Sequence, residues 1–441
     1  MRFVKLVAGS VCVAALAACT PEAGDRDPGA AVVSPTPHEG GTVHVGIVGE
    51  PATLDPYGPA ASDHSYALVR PVFPMPFRLL PDGSVEPDLA ERVVVEGRTA
   101  RLFLRRARWS DGSRITARDV VISIRRATPP SGLARIRSAR VVSDRVVRVR
   151  GDVDDWEEAL ASGAYVLPGG RLRGGTLSGG PFRFAHYQPG RRLVFEPNKR
   201  WPGTPPLLDR VVVDFVQSTE LLIRLLEEGR LDAAVVPSTV NLDERLDELE
   251  LHYGRALGWE SVALEFDDPV AADEWIATAS GIDRERLLSS FVRDEGRLSN
   301  TLSPGPLGTE GFWSHVAIDA GAPPPEITIG APEGDELLTL MQRAIQLDLE
   351  RSGVTAELVT APWATYYGVW PEDGPADAYL VRRAGAPGAA TPPDAVGSSA
   401  LPLAHVETFV AWNDTVHGAV VHPALDGPLW NAEEWWKDPS I

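Results

Sequence analysis

Cysteine is nearly missing from this 441-residue chain: Cys12 and Cys19 are the two it has, and both lie at its start. Beyond Cys19 a disulfide framework, a thiolate nucleophile and a cysteine-based metal site are therefore excluded. The nine histidines are scattered, with no H-x-x-x-H or H-E-x-x-H spacing, so a preformed zinc site is not expected. There is no G-x-S-x-G elbow, no P-loop and no dinucleotide fingerprint. Serine, histidine and aspartate all occur, but in a long chain that means nothing without geometry. The expectation is a protein that is not an enzyme, with no cofactor and no resident metal.

Long apolar runs are also scarce. After the first residues none reaches the roughly 20 that a membrane helix needs. The start itself has a positive n-region (Arg2, Lys5) and a short apolar run from Leu6 to Ala18. That is the layout of a secretory signal. It closes on Leu16-Ala17-Ala18-Cys19, which resembles the bacterial lipobox, in which the cysteine becomes the mature N-terminus and carries the acyl chains. Cys19 is therefore expected to be lipidated and to hold the chain on the outer face of the membrane. Residues 19–41 are rich in Pro, Gly, Ala and small polar residues without hydrophobic period, and read as a flexible tether.

The formal charge is −19, and −21 once Arg2 and Lys5 leave with the signal. So acidic a chain is expected neither to bind nucleic acid nor to carry a polybasic patch for anionic lipid. The remaining length, about 400 residues, exceeds what one core usually covers, so at least two lobes are expected.

Thr42 to Val48 alternates apolar and polar, a half-buried strand, and runs into a proline-containing loop at Glu50 to Pro56. Hairpins are expected over Val93–Leu104, Arg140–Arg150 and Phe182–Glu196. Between the first two, Trp109-Ser110-Asp111-Gly112 is a tight turn, and Thr116 with Asp119 opens a helix as a capping box. Arg210–Val216, Thr219–Glu228 and Leu231–Val236 form a β-α-β unit. Ile327–Ile329, the amphipathic Asp335–Arg351 and Val354–Val359 form another. Asp268 to Phe291 reads as helix broken at Gly281.

The order of these motifs resembles the family 5 extracellular solute-binding proteins, receptors of ABC importers for peptides, oligopeptides and nickel. The matching stretches begin with Gly40-Gly41-Thr42-Val43 and Glu50-Pro51-Ala52-Thr53-Leu54-Asp55-Pro56. Pro81-Asp82-Gly83 follows, with Glu86-Pro87-Asp88-Leu89-Ala90, and then Trp109-Ser110-Asp111-Gly112 with Thr116-Ala117-Arg118-Asp119-Val120. Gly179-Gly180-Pro181-Phe182, Gln188-Pro189-Gly190 and Asn198 come next. Leu226-Glu227-Glu228-Gly229-Arg230-Leu231-Asp232 and Gly281-Ile282-Asp283-Arg284-Glu285 complete the series. Together they reach from Gly40 to about Trp430.

The resemblance implies an α/β, two-lobed periplasmic-binding-protein-like fold of the class II, cluster C type, with an extra β-rich domain. It divides the chain into a signal (1–18), a tether (19–41), lobe I (42–60, 179–254 and 401–441), the β-rich domain (61–178) and lobe II (255–400). Crossing strands are expected at Leu257–Glu265 and Val406–Trp412. Two departures stand out. Arg382-Arg383-Ala384-Gly385-Ala386-Pro387-Gly388 replaces the family's usual aromatic, acidic stretch, and Thr391-Pro392-Pro393-Asp394 leads almost directly to Leu401, so lobe II is shortened.

Candidate ligand contacts are Glu50, Ala52 and Tyr57 in the loop that lines the cleft in such receptors. The aromatics Trp363, Tyr366 and Tyr367 could stack on a ligand, and Arg382 and Arg383 could hold a carboxylate. Each also has a plain structural reading: turn, core packing or solvated surface. The expected partners are a small-molecule or peptide ligand, an ABC permease in the membrane, and the membrane itself through the N-terminal lipid, with the protein a monomer. The alternative is a degenerate receptor that acts as a sensor or interaction protein without transport.

Overall fold

The computed structural model describes residues 36–58, 60–127, 131–153, 155–172, 177–266, 282–292, 296–298, 325–384, 400–422 and 427–439. Cys19, the tether up to residue 35 and the stretches 267–281 and 385–399 lie outside them. Among the described residues no helix is long and apolar enough to cross a membrane.

β1 (Thr42–Val48) is the expected half-buried strand. After it come the proline-containing loop, a helix (Asp63–Val69) and a small hairpin of β2 (Phe77–Leu79) and β3 (Val85–Pro87). A four-stranded antiparallel sheet follows: β4 (Ala90–Glu96), β5 (Thr99–Leu104), β6 (Ile136–Ser143) and β7 (Val146–Gly151), in the order β4-β5-β7-β6. The helix Ala117–Arg126 starts where the sequence places it, with Asp119 Oδ2 accepting the Thr116 backbone N–H at 2.8 Å. Just before it the turn at Trp109 closes through Gly112 N–H to Trp109 O at 2.8 Å. Gly112 sits at φ +93°, which explains the glycine.

β8 (Phe182–Gln188) and β9 (Arg192–Pro197) form the third hairpin. β10 (Arg210–Val216), the helix Thr219–Glu227 and β11 (Ala233–Pro237) form the first β-α-β unit, and both strands pair in parallel with β1. Leu222, Ile223 and Leu226 on one helix face fill the space against the sheet. β12 (His252–Phe266) then leaves this lobe, and β13 (Gly296–Leu298) is a short strand at the side. β14 (Glu326–Pro332), the helix Glu336–Arg351 and β15 (Thr355–Ala361) form the second parallel unit, joined by β16 (Ala378–Ala384). β17 (Ala400–Trp412) returns the chain to the first lobe.

Eleven strands form one large sheet, in the order β15-β14-β16-β12-β17-β11-β1-β10-β9-β8, with β13 on β17. β12 and β17 pair antiparallel along their length and are the two crossing strands. Their register slips between Leu257 and Glu260 and again between Val262 and Ala263. Such irregularities twist and bend a ladder locally.

Each lobe has its own core. Leu337, Met341 and Ile345 pack on Ile329 and Leu380 in lobe II. In lobe I, Val43, Val45, Phe182 and Val211 share one continuous cluster with Leu102, Val147 and Leu160 of the β-rich region. That region thus has its own sheet but not its own core.

The aromatic tail packs back on lobe I. β18 (Val416–His417) pairs with β19 (Trp436–Lys437), Trp435 Nε1 donates to Asn431 Oδ1 at 2.9 Å, and Lys437 meets Asp232 at 2.7 Å. Of the expected helix from Asp268 to Phe291, the described part is a turn of helix at Arg284–Leu287 continued by a π-turn over Leu288–Val292.

Candidate functional site

The lobes face each other where the loop after β1 meets the helix Trp363–Gly368 that follows β15. Gly49 holds φ +80° and donates its N–H to Val216 O at 2.8 Å. A Cβ on Gly49 would strike the Trp363 ring, and one on Gly368 would strike Ala52. Backbone and ring therefore meet at a distance only glycine permits. Trp363 is 7% exposed, with the His64 ring at 4.6 Å on one side and the Tyr367 ring at 4.7 Å on another. His64 Nε2 lies 2.7 Å from Val48 O, so that nitrogen carries the proton. Burial in this slot is the main reason its pKa falls to about 4. Trp363 Nε1–H is buried and finds no acceptor among the described residues.

Beside this aromatic wall lies a polar junction. Arg382 on β16 donates from Nε to Asp335 Oδ2 at 2.6 Å and from Nη2 to Asp335 Oδ1 at 3.1 Å. The same Nη2 reaches across to Ser238 O of lobe I at 2.7 Å. Asp335 also caps the helix Glu336–Arg351 by accepting Leu338 N–H at 3.1 Å. Next to it Glu336 Oε2 accepts from Thr239 Oγ1 at 2.8 Å and from Arg245 Nη1 at 3.2 Å, both in lobe I. Thr219 N–H donates to Gly334 O at 3.2 Å, where Gly334 has φ +83° and a Cβ would collide with Gln217 O. The lobes thus touch directly, a closed arrangement.

The expected contacts divide into four groups. Ala52, Trp363, Tyr367 and Arg382 come together on the facing surfaces. Glu50 lies in the same loop, but its carboxylate is held by the β8–β9 hairpin: Tyr187 Oη donates to Oε1, and Gly190 N–H donates to Oε2 at 2.5 Å. Burial and this carboxylate together push the Tyr187 hydroxyl pKa up. Tyr57 and Tyr366 are not on the facing surfaces. Tyr57 is buried with Oη donating to Tyr165 O at 2.8 Å, and Tyr366 is buried with Oη donating to Leu380 O at 2.7 Å. In both, a long side chain fills core space and its one polar atom satisfies a backbone carbonyl. For Arg383 the structure gives the strand register, opposite Ser261. Cys19 lies outside the described residues.

Sequence reasoning missed His64, Ser238, Thr239, Asp335 and Glu336. Asp335 was legible as a helix start, but nothing local says that the same carboxylate grips an arginine 47 positions later.

A family model for bacterial extracellular solute-binding proteins, family 5, matches residues 84–398. No curated protein matches the chain significantly. Solved structures do. The oligopeptide-binding protein AppA of Bacillus subtilis, in complex with a nonapeptide, superimposes with a TM-score of 0.72 at 17% identity, covering 92% of this chain and 100% of that one. The dipeptide-binding protein of Pseudoalteromonas sp. SM9913, in complex with Met-Leu, gives 0.74 at 15% identity, covering 90% and 100%. NikZ of Campylobacter jejuni, in complex with Ni(L-His), gives 0.70 at 17% identity, covering 90% and 99%. The fold is theirs, and with a family model spanning most of its length the chain belongs to the family 5 bacterial extracellular solute-binding proteins.

Proposed function

We propose that this protein is a lipid-anchored extracytoplasmic receptor that captures a small solute, an oligopeptide or a molecule of similar size, and delivers it to an ABC importer. One observation carries the reading: two separately cored lobes, joined by β12 and β17, meet on an aromatic wall that holds a buried, unspent Trp363 N–H. Opening the lobes would uncover Trp363, Tyr367 and His64 together. A ligand that stacks there and accepts from Nε1 would then favour closure by its differential affinity for the closed state. No bond need be made or broken. Similar folds are solved with a nonapeptide, with Met-Leu and with Ni(L-His), so these set the classes to try first.

The test is a thermal-shift screen of the exported chain against di- to pentapeptides, oligosaccharides and nickel chelates. A ligand at a hundredfold its Kd should add about 2.7 kcal/mol of stability. A reproducible shift with one class establishes the receptor; silence from all of them, with a folded sample, removes it. The anchor is tested separately: Cys19→Ala should lose acylation and leave the membrane fraction.

A second reading is that of a receptor which no longer transports and acts as a sensor or interaction protein. The direct contacts between the lobes favour it, since Ser238, Thr239 and Gly334 close the cleft with the protein's own groups. A cleft that binds nothing and an unchanging solution radius would select it.

A further inference from the structure

The chain is acidic overall, yet sixteen arginines and four carboxylates lie between Arg92 and Arg150. The four-stranded sheet sorts many of them onto one face. Its inner side, with Ala100, Leu102, Val147 and Val149, is buried. On its outer side the register puts Val94, Arg101, Arg148 and Arg140 in one row across β4, β5, β7 and β6. The next row holds Glu96, Thr99, Arg150 and Ser138, and the row on the other side starts with Arg92 opposite Phe103. All five arginines are exposed.

Three arginines stand side by side on adjacent strands, where neighbouring Cβ atoms are about 5 Å apart and like charges destabilise a sheet. Glu96 compensates Arg101, at 2.5 Å. Arg140, Arg148 and Arg150 have no carboxylate at ion-pair distance among the described residues. Arg98 and Arg137 do have one, sharing Asp152 at the end of the sheet. Arg92 lies over the Phe103 ring at 3.7 Å, which fixes its guanidinium on the surface. A local rule broken at a cost, compensated inside the protein at Arg101 but not at Arg140 and Arg148, points to an external partner.

We infer that the outer face of the β4-β5-β7-β6 sheet is a docking surface for anionic lipid headgroups. The face is an open sheet four strands wide, and arginine forks match phosphate oxygens bidentately. The overall negative charge does not forbid this. Screening reaches only about 8 Å at physiological salt, while a chain of this size has a radius of gyration of about 21 Å. Most carboxylates therefore lie several screening lengths from a membrane that the basic face touches, and the separation of charge turns that face toward it. The expectation from composition, that no polybasic surface exists, fails because a sum over the chain hides how a sheet sorts its residues. This inference requires neither the lipid anchor nor a bound solute.

The experiment is sedimentation of the exported chain, Thr20 to Ile441 without acyl groups, with vesicles of phosphatidylcholine alone or with phosphatidylglycerol added. Binding should need phosphatidylglycerol and weaken with salt. Each arginine near an anionic surface is worth about fivefold in partitioning, so Arg101→Gln with Arg140→Gln and Arg148→Gln should cost on the order of a hundredfold. The thermal midpoint of that variant should stay equal or rise, since like charges are relieved. If it does not fold, Arg148→Gln alone carries the test with its fivefold loss. Binding indifferent to phosphatidylglycerol, to salt or to these substitutions would overturn the inference. So would capture of polyglutamate without capture of vesicles, which would assign the face to an acidic protein.

Discussion

Arg382 and Asp335 form a two-pronged ion pair inside the closed protein, with side chains 6% and 0% exposed. The pair belongs to lobe II, but the arginine's second terminal nitrogen ends on Ser238 O of lobe I. One guanidinium thus neutralises a helix-capping carboxylate and bridges the cleft. Removing it leaves the Asp335 charge buried without its counter-ion, which typically costs about 3–5 kcal/mol. Arg382→Met should lower stability by that order in urea unfolding. Adding Asp335→Asn should recover part of the loss, because the stranded charge is gone. Equal stability of Arg382→Met and the parent would show that the pair is immaterial.

Gly334 controls how closely the lobes approach. Alanine there would need φ near +83° and would push against Gln217 O. Gly334→Ala should therefore hold the lobes apart, and small-angle scattering should report a larger radius of gyration than for the parent. The left-handed backbone adds about 1 kcal/mol of strain. An unchanged radius would mean that the contact yields without opening.

His64 makes stability depend on pH. Burial lowers its pKa from 6.5 to about 4, so between those values the unfolded chain takes up a proton that the folded chain refuses. This contribution is complete above about pH 6.5 and is lost as pH falls toward 4, by an amount of order 3 kcal/mol. His64→Phe keeps a ring against Trp363 and cannot titrate. It gives up the bond to Val48 O, about 1 kcal/mol at every pH. Its urea midpoint should fall less steeply than the parent's across the window, and parallel slopes would contradict the assignment.

Trp363 Nε1 separates stacking from hydrogen bonding. Trp363→Phe retains an aromatic face but no donor. If the ligand accepts from that nitrogen, its affinity should drop about tenfold, the worth of one hydrogen bond. The smaller ring also leaves a cavity that lowers the unliganded midpoint, so the readout is the ligand-induced shift measured from each protein's own midpoint, which shrinks. A shift of full size would locate the ligand elsewhere.

Much of the fold was legible because its signals are local. Thr116 and Asp119 announce a helix start within four residues. The stripe from Leu337 to Leu349 marks a buried helix face, and the apolar strands around Thr219–Glu227 spell a β-α-β unit. The site was less legible, since its geometry is set by contacts between lobes. Nothing near Ser238 or His64 in sequence hints that one caps an arginine and the other flanks a tryptophan. Tyr57 and Tyr366 show the reverse: aromatics in stretches that suggest a cleft, drawn instead into the core by their size and a waiting carbonyl. The arginine row lay in plain view, for Arg148 and Arg150 alternate with buried valines. It stayed hidden only while charge was counted over the whole chain.

The shared core of lobe I and the β-rich region fixes which mass moves. Phe182 and Val211 belong to the same continuous apolar cluster as Leu102 and Val147, which ties the arginine-bearing sheet to β1. Any opening of the cleft would then turn lobe II, through β12 and β17, against lobe I and the β-rich sheet taken together.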